Sequence, residues 1–472
     1  MIDLKSIIKR NCIEWDKDPY IYEKNSEDKY EYITFGEFTR NSLGIAKYLI
    51  DNGYKDKKII IISENSHKLM QIDLAITFYV GVSAVVSKEW KLNDLLLGIE
   101  ELQADLVIYS DRYNDLIKNL KEQCDIKTLS IDEITYTYDE SLLDLEIKDE
   151  NALAKIVFSS GTTGKSKAVM LSLKNIFAGF DSLNRRCKLS HDDSAYLFLP
   201  LNHTYAEVYN FMYSLVGGYS LYLASSTANI GKELLESNPT VFCAVPLVFN
   251  NLLAAYKDNV NMAFGKNIKY LFSGGAPISK ETRQFYKDKG LFLMQAYALS
   301  ETSSSLCIAY PGDDDLESVG TIFEDMDVKI YEPDENGVGE IICKGDSVFL
   351  GYTDESLTKR VFDEEGYFHT GDLGLIKDNK IFLKGRKKKM LLSSNGENIM
   401  AESIEEGIKK QDSNIRDVKA YIKNDKLACD IYVEGEIDAE KVVSEYNKDV
   451  PRYEQVTDYR VIKDSIDIRL KQ

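Results

Sequence analysis

Several features that define other classes of protein are scarce in this chain of 472 residues. It contains only 4 histidines and 8 prolines, and its 77 acidic residues outnumber 58 basic ones, which gives a formal net charge of −19. Such an acidic chain is not expected to carry a nucleic-acid-binding surface over most of its length. A phosphate ligand would have to be held by local basic groups and backbone amides.

Cysteine pairs and long apolar runs are also missing. The 7 cysteines are far apart and form no CxxC pair, so they indicate neither a zinc site nor a disulfide framework. The first residues contain no apolar signal core. The longest apolar stretch, residues 74–86, is about a dozen residues long and too short to span a bilayer. We therefore expect a cytoplasmic protein with reduced cysteines and no membrane span.

Residues 156–172, IVFSSGTTGKSKAVMLS, are the most informative stretch. An apolar run leads into a loop of hydroxyls, glycines and lysines, which are the groups that hold a polyphosphate. A Walker-type loop would need glycine where Ser159 stands and a helix beginning at the lysine. Residues 168–171 instead favour a second strand. The alternative of an ordinary Ser/Thr/Gly turn remains open, but the pattern indicates a strand–loop–strand phosphate site.

The order of apolar segments predicts the fold class. Residues 58–109 alternate between fully apolar strands and amphipathic helices, which indicates a parallel sheet covered on both faces. A second α/β run occupies residues 173–300, with predicted strands over 196–200, 220–224, 241–244 and 270–273 and a predicted helix over 204–217. Short alternating segments in residues 319–384 predict antiparallel strands, and residues 385–472 form a charged α+β tail. The prediction is an α/β protein with two doubly wound subdomains and a small antiparallel β-barrel-like subdomain in residues 1–384, followed by a small mobile α+β domain, 385–472.

Four further motifs follow the loop in a fixed order. They are FSGGAP at 272–277, QAYALSET at 295–302, YFHTGDLG at 367–374 and GRKKK at 385–389. With the loop, they resemble the AMP-binding signature of the acyl-adenylate-forming superfamily, which includes acyl-CoA synthetases, luciferases and peptide-synthetase adenylation domains. The resemblance covers nearly the whole chain. Ala298 and Ser300 replace the usual glycine and threonine of the second motif, and Lys389 stands at a hinge position that is often acidic.

The resemblance implies a role for each motif in binding ATP and Mg²⁺. Glu301 is the implied magnesium ligand and a catalytic residue, as is Thr162 of the loop. The other implied nucleotide contacts are Ser159, Ser160, Gly161, Thr163, Gly164 and Lys167 for the phosphates, Gly274, Gly275, Ala276, Pro277 and Tyr297 for adenine, Ser300 for the α-phosphate, and Asp372 and Arg386 for the ribose.

The implied reaction is the activation of a carboxylic acid as an acyl-AMP, followed by transfer to CoA or to the phosphopantetheine of a carrier protein. His203 lies in LPLNH (199–203), where the family's carboxylate pocket would be, although an isolated histidine is as often structural. Amino-acid-activating relatives place an aspartate soon after this point. Only Glu207 is found here, at an unmatched position, so we expect an aliphatic or aryl acid without an α-amine.

The C-terminus departs most from the family pattern. Either Arg469 or Lys471 in IDIRLKQ replaces the usual catalytic lysine. A solvated terminal strand without a catalytic role would have the same sequence pattern. Arginine keeps the charge but not the point-like geometry of an ammonium group. Three hypotheses follow: an acid–thiol ligase, a degenerate member that binds nucleotide but adenylates poorly, and a Walker-type NTPase that would release ADP. The acidic surface disfavours an acidic carrier protein unless the basic run 384–389 docks it.

Overall fold

The structure is a computed structural model. It describes residues 2–159, 167–311, 313, 315–387, 390–392, 398–423, 426–448, 450 and 454–463. The chain divides into two compact units, of which the first comprises Met1–Asp327 and Cys343–Phe368 and the second comprises Val328–Ile342 and His369–Gln472. The predicted boundary of a mobile domain between residues 384 and 385 stays a prediction.

Strands are found along the whole described chain. In order they are β1 (Pro19–Lys24), β2 (Tyr30–Thr34), β3 (Lys58–Ile62), β4 (Val82–Val85), β5 (Leu106–Tyr109), β6 (Lys127–Ser130), β7 (Leu153–Ser159), β8 (Lys167–Ser172), β9 (Ser194–Leu197), β10 (Ser220–Leu223), β11 (Val241–Ala244), β12 (Tyr270–Ser273), β13 (Leu293–Tyr297), β14 (Cys307–Ile308), β15 (Gly320–Ile322), β16 (Met326–Tyr331), β17 (Gly339–Gly345), β18 (Gly351–Tyr352), β19 (Phe368–Lys377), β20 (Lys380–Arg386), β21 (Met390–Leu392), β22 (Asn398–Met400), β23 (Ile415–Lys423), β24 (Lys426–Val433) and β25 (Asp458–Lys463).

Helices separate most of these strands. The α-helices are α1 (Leu4–Ile13), α2 (Phe35–Asp51), α3 (His67–Ala75), α4 (Leu92–Leu102), α5 (Asn114–Lys121), α6 (Leu173–Phe177), α7 (Phe180–Cys187), α8 (Thr204–Ala206), α9 (Tyr213–Gly217), α10 (Ile230–Ser237), α11 (Pro246–Tyr256), α12 (Lys280–Asp288), α13 (Glu355–Val361), α14 (Ala401–Lys409) and α15 (Ala439–Lys448). Short 3₁₀ turns cover Asp111–Tyr113, Ile131–Glu133, Glu140–Asp144, Thr227–Asn229, Lys257–Phe264 and Ser300–Thr302.

The first lobe of the first unit is built on a sheet with the order β18-β8-β7-β4-β3-β5-β6. Strands β7, β4, β3, β5 and β6 are parallel, and β8 pairs antiparallel with β7. The four isoleucines of β3 are fully buried because helices cover both faces. The predicted doubly wound lobe is therefore confirmed, as is the strand that follows the phosphate loop.

The second lobe is built on a sheet whose strands run β15-β14-β13-β12-β11-β9-β10-β1-β2. The pairs from β13 to β1 are parallel, whereas β14 and β2 are antiparallel at the two sides. The predicted strands Val241–Ala244 and Tyr270–Ser273 are confirmed residue for residue. In an open α/β sheet, ligands bind beyond the carboxyl ends of the strands, and the motifs that follow β9, β12 and β13 lie at such ends.

Two helices of the first unit widen into π-helical turns, at Ile76–Val80 and Glu207–Met212. The second of these joins α8 to α9, so the single helix predicted over residues 204–217 is one helical path with a wide central turn. π-Turns are rare and frequently lie at functional sites. This one begins four residues after His203 and is buried throughout.

The second unit contains a hairpin and a small α+β core. Strands β19 and β20 pair antiparallel, with Asp372 opposite Arg386 and Lys377 opposite Lys380. Beyond them, β24 pairs antiparallel with β23 and parallel with β25, and α14 and α15 pack on this sheet through Ile404, Ile408 and Tyr446. The predicted α+β character of the tail is confirmed.

Candidate nucleotide site

The base of the phosphate loop is a strand pair. Ser159, the last residue of β7, lies opposite Lys167, the first residue of β8, and the Ser159 hydroxyl donates to the Lys167 carbonyl over 3.3 Å. Both ends of the loop therefore leave the sheet together. The predicted contacts between these ends, Ser160, Gly161, Thr162, Thr163 and Gly164, lie outside the described residues and stay predictions.

Glu301 lies in the 3₁₀ turn that follows β13, and only 8% of it is exposed. The Tyr352 hydroxyl donates to Glu301 Oε1 over 2.6 Å. The same hydroxyl accepts from Lys167 Nζ at 3.3 Å, and this ammonium lies 4.8 Å from the centre of the Tyr352 ring. Burial and the charge of Glu301 raise the pKa of Tyr352 well above its usual value, so the phenol keeps the proton that it donates.

The backbone around Tyr352 joins the same two elements. Phe349 N–H donates to the Glu301 carbonyl over 2.8 Å, and Leu350 N–H donates to the Met170 carbonyl of β8 over 2.9 Å. Tyr352 of β18 pairs with Val169 of β8. The sequence places Gly351 and Tyr352 in a family element with an expected structural role, and it gives Tyr352 no chemical role because the partners of this residue are distant along the chain.

The SGGAP turn follows β12 and presents a flat, open surface. Gly275, Ala276 and Pro277 are exposed, and Gly275 has φ +81°, a conformation that favours glycine. Gly274 is buried, and a Cβ atom there would lie 3.1 Å from the Tyr205 ring. The absence of a side chain at both glycines therefore has a physical reason, which fits a turn against which a planar ring can lie.

Tyr297 and Ser300 lie on either side of the bend that leads to Glu301. Tyr297 is buried at the end of β13, and Ser300, which begins the 3₁₀ turn, is partly exposed. The structure thus connects Lys167 to Glu301 through Tyr352. Ser300 directly precedes Glu301 in the chain.

His203 is held at the start of α8 by contacts of the preceding loop. The Asn65 side chain donates to the Leu199 carbonyl over 2.8 Å and accepts from Leu201 N–H over 3.1 Å, which fixes the LPLNH segment against the first lobe. Solvent reaches the His203 ring, yet desolvation by the surrounding chain lowers its pKa. A neutral imidazole is therefore expected at pH 7, and it makes no hydrogen bond within the described part of the chain.

A buried ionic cluster joins the loop strand to the helix that carries His203. Lys155 of β7 lies 2.8 Å from both carboxylate oxygens of Asp73 and contacts Glu207 as well. Burial acts to lower the pKa of Lys155, but the two carboxyl groups outweigh it and the pKa is raised. Burial raises the pKa of Glu207 to about 8. The raised pKa favours the protonated form of Glu207 at neutral pH, beside the Lys155–Asp73 ion pair.

The second unit brings together the predicted ribose residues. Arg386 Nε lies 2.8 Å from Asp372 Oδ1, and the carboxylate is mostly buried. Beside them, Glu340 accepts from the Gly371 N–H over 3.1 Å, from His369 Nδ1 over 3.0 Å and from Lys387 Nζ over 2.8 Å. Glu340 therefore anchors both the TGD turn and the first residues of the GRKKK motif.

The roles of the candidate C-terminal cations stay predictions. Arg469, Lys471 and the hinge position Lys389 lie outside the described residues. Within the described ranges, no group of three or more His, Cys, Asp or Glu side chains could hold a metal ion, and no helix is long and apolar enough to cross a membrane. All seven cysteines are free. A magnesium ion held by the Glu301 carboxylate would fit the usual preference of this ion for one or two protein carboxylates, with phosphate oxygens and water as its other ligands.

A loop of hydroxyls, glycines and lysines between antiparallel strands, with a buried glutamate tied to its exit strand, is typical of an enzyme that binds a nucleoside triphosphate. The chain belongs to the AMP-binding enzyme family, whose model matches residues 10–353. It is 30% identical over 320 residues to a long-chain-fatty-acid–CoA ligase, heimdall, of Drosophila melanogaster, a match that covers 55% of this chain and 46% of that protein. This chain therefore spans about half the length of the first curated relatives.

Two further likenesses extend over more of the chain. A 4-coumarate–CoA ligase of Vanilla planifolia is 25% identical over 427 residues, 83% of this chain and 76% of that protein. The structure of O-succinylbenzoate coenzyme A synthetase of Bacillus subtilis, in complex with ATP and a magnesium ion, has a TM-score of 0.84 at 20% identity and covers 97% of this chain and 95% of that one. The structural likeness confirms the predicted fold.

Proposed function

We propose that this chain is an ATP-dependent carboxylic acid–thiol ligase that forms an acyl-AMP and passes the acyl group to CoA. The observation that carries the proposal is the connection of Lys167, Tyr352 and Glu301, because it fixes a cation and a candidate magnesium ligand at the exit of the phosphate loop. Membership of the AMP-binding family and relatives named as CoA ligases support it.

The chemistry proceeds in two balanced steps. A carboxylate oxygen attacks the α-phosphorus of ATP, the bond between the α-phosphorus and the bridging oxygen breaks, and pyrophosphate leaves. A thiolate then attacks the acyl carbon and AMP leaves. Both steps gather negative charge on phosphate oxygens, and preorganised cations and hydrogen-bond donors lower the barrier by stabilising that charge.

Each proposed site residue has its own part in this chemistry. Glu301 would hold Mg²⁺, which when bound neutralises the phosphate charge. The loop with Thr162 and Lys167 binds the departing phosphates, and Ser300 contacts the α-phosphate. Asp372 accepts hydrogen bonds from the ribose, as an ionised carboxylate does.

The acid is proposed to be aliphatic or aryl and to lack an α-amine. Glu207, the acidic residue that the His203 segment offers, is fully buried, held by Lys155 and protonated at neutral pH. It is therefore a poor partner for a substrate ammonium group. The neutral, accessible His203 is suited to contact the acid's carboxylate by donating a hydrogen bond. Names of relatives for long-chain fatty acids and for coumarate agree with this class.

The acceptor and the cellular location complete the proposal. CoA is the proposed acceptor because the relatives are named as CoA ligases, and a carrier-protein phosphopantetheine is the alternative. A cytoplasmic location agrees with seven free cysteines. Arg469 or Lys471 is proposed to supply the cation at the reacting carboxylate. If neither does, the chain is instead a member that binds nucleotide but adenylates poorly.

Exchange of labelled pyrophosphate into ATP tests the proposal directly. The chain is assayed with Mg²⁺ over a panel of fatty, aryl and amino acids, and CoA is then added to the acids that respond. The expected result is exchange that depends on a fatty or aryl acid, AMP as product and loss of activity in Thr162→Ala. Nucleotide binding without exchange would favour the degenerate alternative, and ADP as product would contradict adenylation.

A further inference from the structure

We propose that Tyr352 is the positioning residue of the site and that its hydroxyl sets the geometry of both Glu301 and Lys167. The phenol oxygen bonds both residues at once: it accepts from the Lys167 ammonium and donates to the Glu301 carboxylate. The inference rests on the proposed function, because it assigns Tyr352 a role toward a nucleotide and its metal ion.

The Tyr352 side chain is itself fixed from three sides. Its backbone N–H donates to the Thr358 hydroxyl over 2.8 Å, and its ring lies 4.9 Å from that of Phe349 in an edge contact. Gly351 has φ +131°, and a Cβ there would collide with the Thr358 side chain, so only glycine lets the strand pass this closely. These contacts hold the backbone and the ring of Tyr352 in place and so limit where its hydroxyl can lie.

The two carboxylate oxygens of Glu301 differ in their contacts. Oε1 takes the short bond from Tyr352, and Oε2 has no protein partner among the described residues. A metal ion that arrives with the nucleotide would therefore meet one oxygen held ready in a fixed orientation. A buried carboxylate without such a donor would have to reorient on binding, and groups that are preorganised bind more tightly.

The bond to Lys167 has the opposite character. At 3.3 Å it is long for a hydrogen bond, and the ammonium also rests near the ring face. Tyr352 thus holds the Lys167 charge at the loop exit with interactions weak enough for a phosphate to replace. Tyr352 therefore holds the proposed metal ligand, Glu301, by a short hydrogen bond and holds Lys167 by a long one.

A tyrosine that donates to a buried glutamate might simply stabilise the fold, and the chain contains such a pair. The Tyr196 hydroxyl donates to Glu233 over 2.8 Å in the second lobe, and both residues are fully buried. Neither belongs to the nucleotide site. Tyr196→Phe is therefore the control for Tyr352→Phe, since both changes delete one phenol hydroxyl that donates to a buried carboxylate. Glu233 keeps the hydroxyl and the N–H of Ser225 as its other donors.

The test measures binding as well as turnover. ATP is titrated by calorimetry into the full chain with Mg²⁺ and with EDTA, and pyrophosphate exchange is measured as a function of Mg²⁺ concentration. For Tyr352→Phe we expect the gain in ATP affinity that Mg²⁺ provides to fall about ten-fold, since bonds to charged groups are strong, with little change in EDTA. Tyr196→Phe should lower the melting temperature without changing the Mg²⁺ dependence.

A double-mutant cycle with Glu301→Gln separates positioning from mere stability. If Tyr352 positions the metal ligand through Glu301, the gain in ATP affinity that Mg²⁺ provides should be no smaller in the double variant than in Glu301→Gln alone. Additive losses, or equal losses in Tyr352→Phe and Tyr196→Phe, would overturn the inference. If Tyr352→Phe does not fold, Tyr352→Met is measured in its place. A wild-type chain that neither binds ATP nor exchanges pyrophosphate would instead refute the proposed function.

Discussion

Arg386 and Asp372 face each other across an antiparallel strand pair, with Arg386 Nε 2.8 Å from Asp372 Oδ1. The guanidinium group thereby holds a mostly buried carboxylate in one orientation. Because Asp372 is an acceptor-only group when ionised, we propose that it accepts hydrogen bonds from the ribose hydroxyls.

Asp372→Asn should weaken ATP binding about ten-fold, because the amide replaces one acceptor oxygen with a donor. Calorimetry with ATP and with 2′,3′-dideoxy-ATP checks the reason. The loss should appear for ATP and largely vanish for the dideoxy nucleotide, which lacks the hydroxyls. Asp378→Asn, on the exposed turn of the same hairpin, is the control and should bind both as wild type does. An equal loss for both nucleotides would contradict the ribose assignment.

The two acidic partners of Lys155 should respond differently to amide substitution. Asp73→Asn removes the ionised partner of a fully buried lysine, a change that costs about 3–5 kcal/mol of unfolding free energy. Glu207→Gln replaces a protonated acid with a neutral group of the same shape and should cost less than about 1 kcal/mol. Chemical denaturation of both variants measures the difference. A Glu207→Gln variant as unstable as Asp73→Asn would show that Glu207 is ionised.

The same cluster predicts a pH dependence of stability. The pKa of Glu207 is about 8 in the folded chain and near its ordinary value of 4.5 when unfolded. The folded state therefore binds the extra proton between these values, and this residue's contribution to stability falls as the pH rises from about 5 to 8. Unfolding measured at several pH values should show the Glu207→Gln variant gaining on wild type as the pH increases. A difference that stays constant would contradict the raised pKa.

Gly275→Ala should affect both stability and nucleotide binding. An alanine in this left-handed backbone conformation lowers the free energy of unfolding by about 1–2 kcal/mol. Its methyl group would also project from the exposed face of the SGGAP turn, where the adenine ring is proposed to lie. Gly290→Ala is a close match, since Gly290 has φ +76° and no neighbour within 4 Å of a Cβ. Thermal melts should fall for both variants, whereas ATP affinity should fall only for Gly275→Ala. Unchanged affinity in Gly275→Ala would remove the turn from the adenine site.

Local pattern was enough to predict much of the fold. Strand β3 and strands β11 and β12 are apolar runs bounded by polar or small residues, and parallel strands buried on both faces leave that signature in any sequence. The strand after Lys167 followed from the run of apolar residues there. The π-turn at Glu207–Met212 was not predicted, because an extra residue in a helical turn is decided by packing and not by periodicity.

The candidate site, like the fold, is only partly predictable from local sequence. Glu301 and Asp372 are predicted as site residues because they stand in motifs whose residues are close in sequence. Tyr352 is not, because it acts through Lys167 and Glu301, which are 185 and 51 positions away. Lys155 shows no signal either, since a lysine within an apolar strand looks like a strand edge until its buried acidic partners are placed beside it.

The most direct test of the central claim is acid-dependent pyrophosphate exchange in Glu301→Gln. Its control is Glu233→Gln, which also removes the charge from a buried glutamate that accepts from a tyrosine. The account predicts a loss of about a hundred-fold for Glu301→Gln, partly recovered at high Mg²⁺, and near wild-type exchange for Glu233→Gln in samples that remain folded. Wild-type exchange in Glu301→Gln would contradict the assignment of Glu301 as the metal ligand of an adenylating site.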